Sequence, residues 1–241
     1  MKRKALIVHG GWHGHEPVKV SQLFKDVLEK EEFDVEVSDT LDSFLDVEKL
    51  KGLDLIIPVW TMGEIKKEQF NPVLEAVALG TGIAGCHGGM CDAFRNCVQW
   101  QFMTGGQWVS HPGGAEVQYM VNIKRGSSPI VEGIDDFMVT SEQYYVHVDP
   151  AIEVLATTRF PTFEGPHATN GQVDVPVLWT KRWGKGRVFY SSLGHHADVF
   201  DIEPALETMK RGLLWAAEGK KIALAEKSDM SKAINNLKIS F

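Results

Sequence analysis

The stretch Gly80-Thr81-Gly82-Ile83-Ala84-Gly85-Cys86-His87-Gly88-Gly89-Met90 ends an apolar run in a turn of small residues and carries an imidazole at the bend. In enzymes with G-x-Ser-x-G or G-x-Cys-x-G, the central residue sits on a strained strand-to-helix elbow, and its neighbours are small because the backbone bends sharply. Gly85-x-His87-x-Gly89 has that form with histidine at the centre. A side chain at such a bend points toward the carboxyl ends of the strands, whereas the residue before it points into the packing layers. His87 is therefore expected to be functional and Cys86 structural. The plain alternative is a glycine-rich turn with an incidental histidine.

Other groups of the same chemistry lie far along the chain. Glu142 follows a strand-like run, and His195-His196 follow the second strand of a hairpin, while His13 and His15 lie in the first loop. A neutral imidazole shifts a proton near neutral pH or binds a divalent cation, and a carboxylate orients it or completes the shell. His87, Glu142 and His195 are thus the candidate catalytic groups, with His13, His15, Trp60, Tyr144 and His196 as substrate-binding candidates. His15, His87, Glu142 and His196 form the alternative ligand set for a divalent metal such as zinc. Each has a duller role open to it. His195 or His196 can cap a helix or bond a loop carbonyl, Glu142 can pair with an arginine, and His9 can simply pack at a strand end. His111, His147 and His167 lie in irregular segments and read as surface or lid residues. Trp12, Trp60, Trp108, Tyr144 and Tyr145 could serve as flat platforms for sugar rings, with Trp60 and Tyr144 the best placed. Trp179, Trp183 and Trp215 read as packing. Gly10-Gly11 lacks both G-x-G-x-x-G and a P-loop lysine, so no nucleotide cofactor is expected.

The chain has 241 residues and a formal net charge of -7, enough length for one full core and the wrong sign for a nucleic-acid surface. Met1 leads into Lys2-Arg3-Lys4 and then a short apolar run, too short for a secretory core or a membrane span, so a cytoplasmic protein without a membrane partner is expected. Cys86, Cys91 and Cys97 are odd in number and crowded, which argues for reduced thiols.

These groups need a scaffold. Lys4 to His9 and Leu53 to Trp60 read as buried strands, the first followed by a helix through Val20, Leu23, Phe24, Val27 and Leu28, the second by one through Phe70, Val73, Leu74, Val77 and Leu79. Phe33 to Val37 alternates as a half-exposed strand near an edge. Strands alternating with helices predict an α/β fold with a mostly parallel sheet covered on both faces, whose ligands lie at the carboxyl ends of the strands. From Gln99 a long irregular connection is expected, then strands over Val117 to Ile123 and Ile152 to Thr157. Pro176 to Trp183 and Gly186 to Ser191 flank Gly184-Lys185 as an antiparallel hairpin. Glu203 to Ala217 has the spacing of a packed helix ended by Gly219. One domain over 1–219 and a tail over 220–241 follow, the tail being an exposed helix or a subunit contact in a homo-oligomer.

Leu6-Ile7-Val8-His9-Gly10-Gly11 with His13 and His15, the elbow Gly85-Cys86-His87-Gly88, Ser141-Glu142-Gln143-Tyr144, and Gly186 through His196 together resemble the ThuA-like, or trehalose-utilisation, family over roughly residues 4 to 217. The resemblance implies a flavodoxin-like three-layer fold of the class I glutamine amidotransferase-like kind, and a place in sugar catabolism beside oxidoreductases that make keto-derivatives of disaccharides. True amidotransferases carry a cysteine nucleophile where this chain has His87, so glutamine hydrolysis is not expected. The expected ligand is a small carbohydrate or its keto-derivative, acted on by hydrolysis, elimination or isomerisation. The rival readings are a non-catalytic sugar-binding or regulatory protein, and a thiol enzyme using Cys86.

Overall fold

A strand of consecutive apolar residues must be covered on both faces, because alternate side chains point to opposite sides. In β1 (Arg3–Gly11), Ala5 and Ile7 enter one core with Val20, Phe24 and Leu28 of α1 (Pro17–Lys30). Leu6 and Val8 enter a second core on the other face. The computed structural model, which describes residues 2–162 and 165–225, repeats this arrangement across a three-layer molecule.

The elements follow in order as β2 (Phe33–Ser38), α2 (Val47–Lys51), β3 (Leu55–Thr61), α3 (Lys67–Ala78) and β4 (Gly82–Cys86), then α4 (Gly88–Cys91), α5 (Val98–Thr104) and β5 (Gly106–Ser110). The second half comprises β6 (Val117–Ile123), β7 (Phe137–Ser141), β8 (Tyr145–Val148), β9 (Glu153–Phe160), β10 (Val173–Trp183), β11 (Gly186–Ser191) and α6 (Glu203–Ala225). The main sheet has the order β2-β1-β3-β4-β11-β10-β9-β6-β7. From β2 to β11 all neighbours are parallel, which is the α/β core expected from the alternation of strands and helices. From β11 outward every pairing is antiparallel, beginning with the hairpin in which Trp183 faces Gly186. Residues of α1 and α6 fill one core, and those of α2, α3 and α5 fill the other. Half-exposed β2 lies at the sheet edge, as its alternation predicts.

Three features differ from the sequence reading. The segment after Gln99 is ordered, because Trp100, Met103 and Thr104 are buried one helical turn apart in α5, and β5 pairs with β8 in a separate two-stranded sheet. The antiparallel extension is wider than the hairpin, since β9, β6 and β7 continue the same sheet. Finally, α6 runs through Gly219 to Ala225. That glycine serves close approach instead of termination, for a Cβ there would lie 2.9 Å from Cγ of Arg187. The part of the expected tail beyond residue 225 lies outside the described residues. Among the described residues, no helix is long and apolar enough to cross a membrane.

Candidate functional site

The elbow forms as the small residues around it require. His87 has φ 47° and ψ −137°, a region that residues with side chains rarely enter and that recurs at functional sites. Both sides of the strained residue are tied down. Its N–H donates to the Ser191 carbonyl at 2.7 Å, and its carbonyl accepts from the Tyr190 hydroxyl at 2.9 Å. Gly88 and Gly89 let the turn pass under its neighbours, since a Cβ on Gly88 would lie 2.6 Å from Nδ1 of His15 and one on Gly89 2.9 Å from Cα of Val59.

Four chain segments deliver side chains to one point. The loop after β1 brings His15, the elbow after β4 brings His87, the link between β7 and β8 brings Glu142, and the turn after β11 brings His195. One ligand atom from each of these four buried residues lies within 4.8 Å of all the others. Glu142 Oε2 is the hub, 3.1 Å from Nε2 of His87, 3.3 Å from Nδ1 of His195 and 3.7 Å from Nε2 of His15. Donors about 2.0–2.1 Å from an ion at the centre of a tetrahedron stand roughly 3.3 Å apart, so these three separations suit a divalent cation.

The far sides of the rings are held as well. Nδ1 of His87 lies 2.8 Å from the Ser192 carbonyl, and Nδ1 of His15 lies 2.9 Å from the Thr61 hydroxyl. Such partners on the outer nitrogen orient a ligating imidazole. The hydroxyl of Tyr119 donates to the Glu142 carbonyl at 3.1 Å and fixes the backbone of the hub.

Electrostatics sharpen the geometry. Burial pushes His87 down to about 4, only partly opposed by Glu142, so its ring is neutral near pH 7 and has one hydrogen. Burial also works against the Glu142 charge, yet the nearby His15, His195 and His87 outweigh it and hold the carboxyl well below the usual carboxylate range. The Ser192 carbonyl and the Glu142 carboxylate can each only accept. A neutral His87 can satisfy one of them and must turn a lone pair toward the other. Nδ1 of His195 is likewise buried without a hydrogen-bond partner, although it faces the same carboxylate oxygen. With the His87 hydrogen given to the Ser192 carbonyl, the lone pairs left on His87 and His195 and the Glu142 carboxylate form a set able to hold a cation.

The remaining candidates are distributed around this centre. The structure places His195, not His196, among the four convergent groups. With Gly194 at φ 107° the chain turns so that His195 faces inward, and His196 becomes the half-buried residue before a short 3-10 turn, its ring 4.0 Å from that of His195. His13 is exposed and outside the cluster. Tyr144 is buried, with its ring stacked 3.9 Å from that of His87, so an imidazole occupies the face considered for a sugar. Trp60 is next to last in β3, its ring packed against Gly10, where a Cβ would come within 2.5 Å. Trp12 is exposed and meets His15 edge-on at 4.7 Å. Cys86 is buried and its thiol is pushed up to about 12 by burial, which leaves it protonated and unreactive.

His111 departs from its reading as a lid or surface residue. It is partly exposed, yet its Nδ1 comes within 3.6 Å of Glu142 Oε2 and accepts from Nε1 of Trp108 at 3.2 Å. The only sequence signal was a histidine beside Pro112-Gly113-Gly114, which also describes an ordinary loop.

The family model for trehalose utilisation, ThuA, matches residues 4–216. Among solved structures, a ThuA-like protein from Bacteroides uniformis superposes with a TM-score of 0.69 at 16% identity, covering 89% of this chain and 91% of that one. A ThuA-like protein from Parabacteroides merdae gives 0.68 at 20% identity, with 91% of each chain covered. A cytoplasmic protein from Salmonella typhimurium gives 0.61 at 13% identity, over 91% of this chain and 99% of that one. At these identities the likeness is one of fold. No curated protein matches the chain.

Proposed function

The chain belongs to the trehalose-utilisation family, ThuA, and on that premise we propose that it acts on a small carbohydrate or keto-sugar at a divalent-cation centre held by His15, His87, Glu142 and His195. One observation carries the reading. The buried, neutral His87 ring stands between two groups that can only accept, the Ser192 carbonyl and the Glu142 carboxylate, and a cation resolves that conflict. A divalent ion such as zinc supplies Lewis acidity, polarising a carbonyl or making water a nucleophile at neutral pH. The chain's own groups do the rest. Ser192 and Thr61 keep the rings of His87 and His15 aimed at the centre, and Tyr119 fixes Glu142. Trp12 at the exposed lip offers an apolar face to a sugar ring.

Elemental analysis of the purified protein tests the centre. We expect one divalent ion per chain, lost in His87→Ala and Glu142→Gln with the fold retained by circular dichroism. Full metal content in both variants would overturn this assignment. Incubation with disaccharides and their keto-derivatives, followed by mass spectrometry, tests the substrate.

A second reading, a non-catalytic sugar-binding protein, is favoured by the four protein donors, since a four-coordinate ion held by four side chains has no open position. Tight disaccharide binding by calorimetry with no product by mass spectrometry would select it.

A further inference from the structure

Four imidazoles stand within 3.7 Å of Glu142 Oε2, and one differs from the others. The side chains of His15, His87 and His195 are no more than 8% exposed, whereas that of His111 is 38% exposed. His15 and His87 are also pinned from behind by a hydroxyl or a carbonyl in the rigid part of the fold. His111 belongs to the loop between β5 and β6, where Gly113 and Gly114 both have positive φ and a Cβ on Gly114 would meet nothing within 4 Å.

The hydrogen bond to its ring is informative. An indole N–H only donates, so Nδ1 of His111 accepts from Trp108 with its lone pair. In the neutral ring the hydrogen is then on Nε2, and Nδ1, facing Glu142 at 3.6 Å, is already in the form that binds a metal. The lone pair cannot serve the indole and a cation together.

We propose that His111 is a fifth, exchangeable donor to the centre, held in reserve by the indole N–H of Trp108. The inference rests on the divalent-cation reading and adds to it a removable ligand beside four buried ones. While Trp108 holds His111 back, the fifth position stays free for a ligand oxygen entering from solvent, and the four buried side chains keep the ion bound throughout. An ion able to take a fifth donor therefore has a place for substrate even with four side chains bound. Trp108 is suited to the holding role because its own ring is fixed, with the Arg95 guanidinium 4.6 Å from its centre and Tyr144 6.3 Å away.

The test uses Co2+ as the probe, because its visible absorption is strong in four-coordinate sites and weakens when a fifth ligand joins. Metal-stripped wild type, Trp108→Phe and the double variant Trp108→Phe/His111→Ala are titrated with Co2+, and thermal melts check that each is folded. Phenylalanine keeps an aromatic ring at position 108 and removes only the donor. We expect the wild type to bind one Co2+ with strong bands, Trp108→Phe to bind one with bands several-fold weaker, and the double variant to regain the wild-type intensity. Equal spectra for wild type and Trp108→Phe would overturn the inference, as would a weakening that persists without His111. A wild type that takes up no Co2+ removes the cation reading itself, an outcome visible before any substitution is compared.

Discussion

Gly88 carries no side chain because His15 fills the space a Cβ would need, 2.6 Å from Nδ1 of that ring and 2.8 Å from the Thr61 hydroxyl. Gly88→Ala should therefore displace His15 from Thr61 without replacing any of the four donor residues, and loss of such an orienting contact weakens metal binding by about 10–100-fold. Competition with a chromogenic chelator measures this, and an unchanged affinity would mean that Thr61 does not set the ring. His87 gives a pH signature in the metal-free protein. Its pKa falls from 6.5 unfolded to about 4 folded, so between those values the unfolded chain binds the extra proton. Stability is then full above about pH 6.5 and declines as the pH drops toward 4, by roughly 3 kcal/mol from this residue. Urea denaturation of the chelator-treated protein at a series of pH values checks it, with His87→Gln expected to flatten the slope.

At the level of elements, α6 is seated by glycines. A Cβ on Gly212 would lie 2.1–2.5 Å from ring carbons of Phe189 on β11, and one on Gly82 of β4 would lie 2.3 Å from the Ala216 carbonyl. Gly212→Val should cost at least about 2 kcal/mol through overpacking, seen as a lower denaturation midpoint with unchanged slope. Because β11 leads into Ser192 and His195, the same change should also loosen the proposed metal site. The parallel strands, α1, α3 and the β10–β11 hairpin could be read from sequence because each has a long apolar period or a strong turn signal of its own. The elbow was legible for the same reason, a local run of small residues around His87. The partners of β6, β7 and β9 were not, since strand pairing is decided by contacts remote in sequence. His195 was read as a catalytic group while its place among the metal ligands was given to His196, and the approach of His111 was not read at all, for related reasons. The choice between His195 and His196 depends on the twist at Gly194, and the approach of His111 to Glu142 depends on a loop whose composition carries no address.

Over the whole molecule, the centre lies where the parallel and antiparallel parts of the sheet meet. His15 and His87 come from loops of the parallel part, Glu142 from beyond β7 of the antiparallel part, and His195 from the end of β11, which belongs to both. An ion bound at the proposed centre would therefore link the two parts, and its binding free energy would add to that of folding. At a free-ion concentration 100 times the dissociation constant the gain is about 2.7 kcal/mol. Removing the ion with a chelator should lower the melting temperature by several degrees, with recovery when zinc is returned and no such effect in Glu142→Gln. The donors are also spread along nearly the entire chain, at positions 15, 87, 142 and 195. On the ribosome, a nascent polypeptide has no complete cage to offer until the turn after β11 has left the exit tunnel. If the proposed centre is filled, ion capture is thus a late event in biogenesis, and a prematurely terminated product lacking that turn would hold a divalent ion poorly.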